Sequence, residues 1–266
     1  MDGDDRLTQV AEPWTNEPWV IDILHLATLP GLPLRDFLRD APPDMTIDVP
    51  CYGYLLTCAG ATILVDSGPD IANPRAIQSG VIGDPQGVLQ RSLEYRGRSG
   101  EDVDLIIHTH LHYDHMQNDL DFRESLVVVQ ESEVQFALLR EPEDFYIGVS
   151  EYVDHLGQRL SQVSGEFTLV PGVRLIPTGG HSPGHQAVLV DSVWGPVCIA
   201  GDVIALTENL VRRSPACPDE EGTLRFLRRV EAEAWRVLPG HEPAFRSVDD
   251  LSALWGPVAR TGSIAR

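Results

Sequence analysis

Six residues, His110-x-His112-x-Asp114-His115, hold four side chains able to bind a metal ion. Imidazole and carboxylate donors suit zinc and other divalent ions. Such spacing works on a tight loop. His110 and His112 can converge on one ion there, while the Asp114-His115 pair turns toward a second. The run Val103-Asp104-Leu105-Ile106-Ile107 just before reads as a short buried strand, so the motif lies where a strand gives way to a loop. The plain alternative is a histidine-rich surface stretch that takes up metal adventitiously, and the rest of the chain argues against it.

Three more segments place donors after apolar, strand-like runs. Thr178-Gly179-Gly180-His181-Ser182-Pro183-Gly184-His185 follows Val173-Arg174-Leu175-Ile176. Gly201-Asp202 follows Val197-Cys198-Ile199-Ala200, and Gly240-His241 follows Trp235-Arg236-Val237-Leu238. Glycine beside a donor lets the backbone turn sharply and bring the side chain close to an ion. With the first cluster this makes five histidines and two aspartates, enough for two metals that share one carboxylate.

The order HxHxDH, GHSPGH, GD, GH resembles the metallo-β-lactamase superfamily, and within it the N-acyl homoserine lactonases that open the ring of bacterial quorum signals. The likeness extends to Ile47-Asp48-Val49-Pro50-Cys51-Tyr52-Gly53-Tyr54-Leu55-Leu56, Ile63-Leu64-Val65-Asp66-Ser67-Gly68 and Val170-Pro171-Gly172-Val173, and so to nearly the whole chain. It implies that His110, His112 and His181 hold one metal, that Asp114, His115 and His241 hold the other, and that Asp202 bridges them. It also implies that Asp66 orients a ligand histidine and that His185 supports the site from behind, as outer partners do. His108 reads as a strand-end histidine at best behind the site, and His25 and His155 as ordinary structural or surface residues.

Close relatives fit less well. Flavodiiron reductases carry Glu where His112 stands, class B1 lactamases use Cys at the place of Asp202, and class B3 lactamases lack that bridging Asp. The resemblance implies a dinuclear hydrolase, with zinc the first candidate and iron or manganese the others. A metal-bridging hydroxide attacks an ester-like carbonyl, and Asp114 carries the proton to the leaving group. No GxSxG elbow offers a serine instead. Two departures bear on the substrate. The lactonases often carry a tyrosine shortly after the bridging Asp, whereas this chain reads Asp202-Val203-Ile204-Ala205-Leu206 and has no tyrosine after Tyr152. The motif is followed by Met116-Gln117-Asn118 rather than small residues. Tyr146, or another side chain on the aromatic-rich loop over 141–155, is the candidate substitute. The leading reading is a lactonase for acyl homoserine lactones. Its rivals are a thioesterase of the glyoxalase II type, a mononuclear iron sulfur dioxygenase, and a sensor that kept the metals without turnover.

Composition narrows the partners. Twenty Lys and Arg against 40 Asp and Glu give a net charge of −20, which favours solubility and disfavours a nucleic-acid partner. Arg225, Arg228 and Arg229 are the widest basic cluster, at helical spacing among glutamates. Four cysteines show no metal-finger or disulfide pattern, and Cys51 and Cys198 read as small core residues. The N-terminus lacks signal-peptide character and no apolar run spans a bilayer, so a cytoplasmic protein is expected. The sequence leaves the oligomeric state open, with a homodimer one option.

Stepping outward from the ligands, residues 1–18 read as an arm and 19–266 as one hydrolase domain. Strands are expected at 19–27, 50–58, 61–66, 103–107, 126–130, 167–170, 173–177, 186–190, 195–200 and 236–239. Helices are expected at 85–96, 131–140 and 219–234, the last with a stripe of Leu224, Leu227, Val230 and Ala234. Layer rules allow α/β or α+β. The resemblance implies an αββα sandwich of two mixed sheets with helices outside. Residues 29–43 read as a proline-rich loop, with Leu32, Leu34, Phe37 and Leu38 as candidate pocket walls alongside Phe145, Tyr146 and Met116.

Overall fold

Apolar strands here bury both faces, and that fixes the layering. The computed structural model describes residues 14–243 apart from 121, 142–144, 213 and 216. Residues 1–13 of the expected arm and 244–266 of the expected domain lie outside that set.

The first half contributes β1 (Val20–Pro33), β2 (Thr46–Cys58), β3 (Ala61–Val65), α1 (Pro74–Ser79), β4 (Ile82–Gly83) and α2 (Pro85–Glu94). It continues with β5 (Leu105–Ile107), α3 (Tyr113–Met116), β6 (Leu126–Gln130), α4 (Glu131–Arg140), α5 (Val149–Leu156) and β7 (Leu160–Val163). The second half runs through β8 (Phe167–Val170), β9 (Val173–Pro177), β10 (Gln186–Ser192), β11 (Gly195–Gly201), α6 (Glu220–Ala232) and β12 (Arg236–Pro239).

One sheet has the order β4-β1-β2-β3-β5-β6-β7 and the other β12-β11-β10-β9-β8. Both are mixed: β3, β5, β6 and β7 are parallel neighbours, as are β11 and β12, and the remaining pairs are antiparallel. Tyr54, Ile63 and Ile107 of the first sheet meet Leu175, Val188 and Ile199 of the second in the central core. On the outer face of the first sheet lie Leu89 and Leu93 of α2, Val134 of α4 and Tyr152 of α5. Outside the second, Phe226, Leu227 and Val230 of α6 cover Ala187, Leu189 and Cys198. The αββα sandwich is therefore present. No helix among the described residues is long and apolar enough to cross a membrane.

The topology decides where function can sit. Two antiparallel steps separate β9 from β11, and β12 is parallel to β11, so all three end at one edge of their sheet. Parallel β3 and β5 likewise end together. Their following loops carry Asp66, His110 to His115, His181, Asp202 and His241.

The structure differs from sequence expectation in several places, beyond the short α1, α3 and β4, which were not expected. β1 runs on to Pro33 instead of yielding to a loop at residue 29, with register breaks around Leu26 and between Leu29 and Leu32. β4 pairs only with Ala27 and Thr28, so Pro30 and Pro33 lie where no ladder bond is needed on that side. Gly31, at φ 65°, lies within the second break. The aromatic-rich 141–155 stretch is not all loop: Val149, Tyr152 and Leu156 are the buried stripe of α5, at a spacing the sequence already contained. β7 went unexpected because Leu160-Ser161-Gln162-Val163 puts two polar residues between its apolar ends. In α6 the buried stripe is Phe226, Leu227 and Val230, while Ala234 lies beyond the helix end at φ 51°.

Candidate functional site

All seven candidate ligands meet at the loop edge. His181 Nε2 lies 3.1 Å from His110 Nε2 and 3.0 Å from His112 Nδ1. His241 Nε2 lies 3.1 Å from Asp202 Oδ2 and 3.7 Å from Asp114 Oδ2. His115 Nε2 is 3.4 Å from Asp202 Oδ1 and 3.7 Å from Asp114 Oδ2. Asp202 also reaches His181, 3.5 Å from Oδ2 to Nε2, so its carboxylate faces both groups.

Hydrogen bonds behind the rings decide which nitrogens face the centre. His115 Nδ1 donates to Asp66 Oδ2 at 2.9 Å, and His241 Nδ1 donates to the Pro50 carbonyl at 2.7 Å. Thr109 Oγ1 donates to Asp66 Oδ2 at 2.8 Å, which leaves its lone pair for His110 Nδ1–H at 3.0 Å. In each ring Nε2 is thus the nitrogen left to face the centre. Ring nitrogens and carboxylates converging this closely in a buried pocket call for a cation between them. Two atoms confirm the need: His115 Nε2 and Asp202 Oδ1 are buried without any hydrogen-bond partner. The residues fit a divalent metal, and imidazole with carboxylate is a zinc-type donor set.

The local backbone is shaped for this. Asp66 and His181 are two of the four described non-glycine residues at positive φ, 55° and 66°. A non-glycine residue in that region costs about 1–2 kcal/mol, and both turn their side chains toward the cluster. Gly240 is required: a Cβ there would lie 2.6 Å from Asp202 Oδ1.

Electrostatics divide the cluster. Burial, then the neighbouring imidazoles, hold His110 well below the usual histidine range, and burial with His181 does the same for His112. Burial alone would raise Asp202, but His241, His115 and His181 pull it well below the carboxylate range. Burial alone would lower His115, but Asp202, Asp114 and Asp66 raise it to about 10. His241 is raised against its burial mainly by Asp202. Burial and the Asp114 and Asp202 carboxylates keep the Cys51 thiol protonated in the metal-free protein.

The supporting residues take definite places. Asp66 accepts the His115 Nδ1 hydrogen bond. His185 holds the chain that carries Asp202: its Nε2 accepts from Asp202 N at 3.0 Å, and Nδ1 donates to Thr178 Oγ1 at 2.9 Å. His108 is fully buried, with Nε2 3.0 Å from Asp119 Oδ2 and 2.7 Å from the Tyr152 hydroxyl. Its Nδ1 lies 3.7 Å from Asp66, so it backs the residue that orients His115. His25 and His155 are exposed.

Pocket expectations divide. Phe37 meets His241 edge-on with ring centres 5.9 Å apart, and Phe145 lies 5.1 Å from His112. Leu34 and Leu38 line a cleft of about 400 Å³ with Met45, Ile47, Leu206 and Glu242, the residue after His241. Leu32 packs beside it against Leu29 and Val49. Met116 is not a pocket wall: it is fully buried in the core under the first sheet, because the short α3 turns it inward. Tyr146 packs 4.6 Å from His112, but its hydroxyl donates to Glu133 at 3.3 Å and so is turned from the expected oxyanion role.

Glu133 escaped sequence reading, where it is one acid among several on α4. Completely buried, it accepts Leu111 N at 3.0 Å on Oε1, and Ser182 Oγ at 2.6 Å and Gly184 N at 3.1 Å on Oε2. It thereby ties the HxHxDH loop to the GHSPGH loop. The available signal was its helical spacing with buried Ala137, which puts an acid on an apolar stripe.

Two outcomes follow. Each Glu133 oxygen receives one backbone N–H, so Glu133→Gln must aim its amide at one of those donors. An unpaired buried donor costs about 1–3 kcal/mol, and support lost behind ligands costs about 10–100-fold in metal affinity. Thermal unfolding and zinc titration check both, and unchanged affinity would contradict the tie. Second, His115, raised against its burial to about 10 by Asp202, Asp114 and Asp66, carries a proton in the metal-free protein at neutral pH, and a metal must displace it. Calorimetry in buffers of different ionisation enthalpy should show proton release. Affinity should rise with pH until about pH 10, where His115 loses its proton unaided. A pH-independent affinity would contradict the assignment.

Comparison with known proteins agrees with this geometry. The model of the metallo-beta-lactamase superfamily matches residues 46–241, which include all seven candidate ligands. An N-acyl homoserine lactonase of Bacillus thuringiensis is 31% identical over 221 residues, covering 75% of this chain and 84% of its own. One from Bacillus sp is 30% identical over 217 residues with the same coverage. The solved structure of an N-acyl homoserine lactone hydrolase, with N-hexanoyl-L-homoserine bound at its catalytic metal centre, superposes with a TM-score of 0.70. It is 26% identical and covers 85% of this chain and 94% of that one. By sequence and fold, this chain belongs to the metallo-β-lactamase superfamily as a metal-dependent hydrolase of the N-acyl homoserine lactonase family.

Proposed function

We propose that the protein hydrolyses the ring ester of a lactone, an N-acyl homoserine lactone first of all, at a centre of two divalent ions, zinc by preference. The observation that carries the dinuclear reading is Asp202, whose carboxylate stands between the His110, His112 and His181 group and the Asp114, His115 and His241 group. The substrate reading draws on the lactonase relatives and on the cleft lined by Leu34, Leu38, Ile47, Leu206 and Glu242.

When bound, two such ions bring the pKa of a water between them toward neutrality and polarise an ester carbonyl. Everything else falls to the side chains. Asp114 Oδ2, 3.7 Å from the Nε2 atoms of both His115 and His241, is placed to take the proton of the attacking water. It returns that proton to the ring oxygen as the C–O bond breaks, leaving a carboxylate and an alcohol. Phe37 and Phe145 wall the opening above His241 and His112 and exclude water. The cleft along Leu34, Leu38, Ile47 and Leu206 receives the acyl chain. No tyrosine replaces the one many lactonases carry: Tyr146, Tyr152, Tyr52 and Tyr54 direct their hydroxyls to protein acceptors, Tyr113 is hydrogen-bonded to Ser79, and Tyr95 lies exposed on the surface. Carbonyl polarisation therefore rests on the metals. The glyoxalase II reading is less favoured, since the cleft sets Glu208 and Glu242 against Arg212 alone and offers little to an anionic carrier.

A pH-stat assay of the metal-loaded protein on a long-chain acyl homoserine lactone should show rapid proton release. Asp114→Asn should lower it by about two or more powers of ten. Silence from a fully loaded protein would remove the lactone and leave the metal site. Filling the cleft with Leu206→Trp should raise KM for a long acyl chain about tenfold, about 1.4 kcal/mol, and leave a short-chain substrate nearly unchanged. An equal effect on both chain lengths would place the acyl group elsewhere.

A further inference from the structure

Cys51 has no role in the account so far, yet it stands at the metal centre. It lies on β2 with no exposed surface. Its Sγ, one carboxylate oxygen of Asp114 and one ring nitrogen of His241 all lie within 4.8 Å of one another. The strand cannot carry the thiol away. On one side the Pro50 carbonyl accepts His241 Nδ1–H at 2.7 Å, and on the other the Tyr52 hydroxyl donates to the Glu242 carbonyl at 2.8 Å. Both contacts bind β2 to the loop that carries His241.

Packing against Ala27, Leu29 and Val49 would by itself make Cys51 an ordinary core residue. A second observation points to an ion at the same place. His115 Nε2, buried and without a hydrogen-bond partner, approaches the same Asp114 carboxylate at 3.7 Å. An orphaned ring nitrogen and a thiol thus face one carboxylate from two elements, β2 and α3.

We propose that Cys51 supplies a thiolate to the ion held by Asp114, His115 and His241, an inference that rests on the metal-centre reading above. As the metal–sulfur bond forms, the thiol proton leaves to solvent, the usual exchange when cysteine binds a metal. A bound dication reverses the field of the carboxylates that keeps the free thiol protonated. The two halves of the centre then differ in kind: three imidazoles on one side, and carboxylate, imidazole and sulfur on the other. A soft donor there favours zinc, cobalt or cadmium over manganese.

Cobalt(II) tests this without an activity assay. The full-length protein loaded with two cobalt ions should show visible d–d bands and, in the near ultraviolet, a thiolate-to-cobalt charge-transfer band. Cys51→Val should keep the metal content and visible bands and lose the charge-transfer band. Cys51→Ala serves the same end if valine crowds the site. Two bound cobalt ions without the band in the wild type would overturn the proposal, as would its full retention in both variants. Failure of the metal-centre reading looks different: no cobalt binds and no visible bands appear, which overturns both.

Discussion

The structure depends on one enforced repulsion. His181 Nε2 stands 3.1 Å from His110 Nε2 and 3.0 Å from His112 Nδ1, beside the buried carboxylates of Asp114 and Asp202. Without positive charge this costs free energy on every count: like dipoles meet, and buried polar atoms go unpaired. With a dication between them, the same convergence becomes the main gain from binding. The protein spends fold stability to hold the groups in place, and the metal returns it.

Holding that arrangement takes contacts that cross the sandwich. The Pro50 carbonyl on the first sheet fixes His241 at the end of the second. Asp66, after β3, fixes His115 and Thr109 together. Glu133, at the start of α4, joins the two histidine loops, and His185 carries the backbone of Asp202. None of these contacts is local in sequence. Each spans two elements, so the centre is rigid only when both sheets and the outer helix α4 are docked.

This explains what the sequence made legible and what it concealed. His110 to His115, His181, Asp202 and His241 were readable because ligands must sit at strand ends, beside turns, at spacings few other roles require. Asp66 and His185 were readable through the motifs that contain them. Glu133 and Asp119 were not, because a buried acid differs from a solvated one only through partners far along the chain. Cys51 looked like core for the same reason: its strand is apolar, and its nearness to Asp114 and His241 exists only after β2 meets the β12 loop. Residues 29–33 misled in the opposite direction, since prolines that break a central strand are harmless where β1 lacks a neighbour.

The central claim is that two cations occupy this convergence, one on each side of Asp202. Anomalous diffraction at the metal absorption edge, from crystals of protein purified without added metal, tests it most directly. The account predicts two peaks per chain, one among His110, His112 and His181 and one among Asp114, His115 and His241, both against the Asp202 carboxylate. A single peak, or none with the seven side chains still converged, would contradict it.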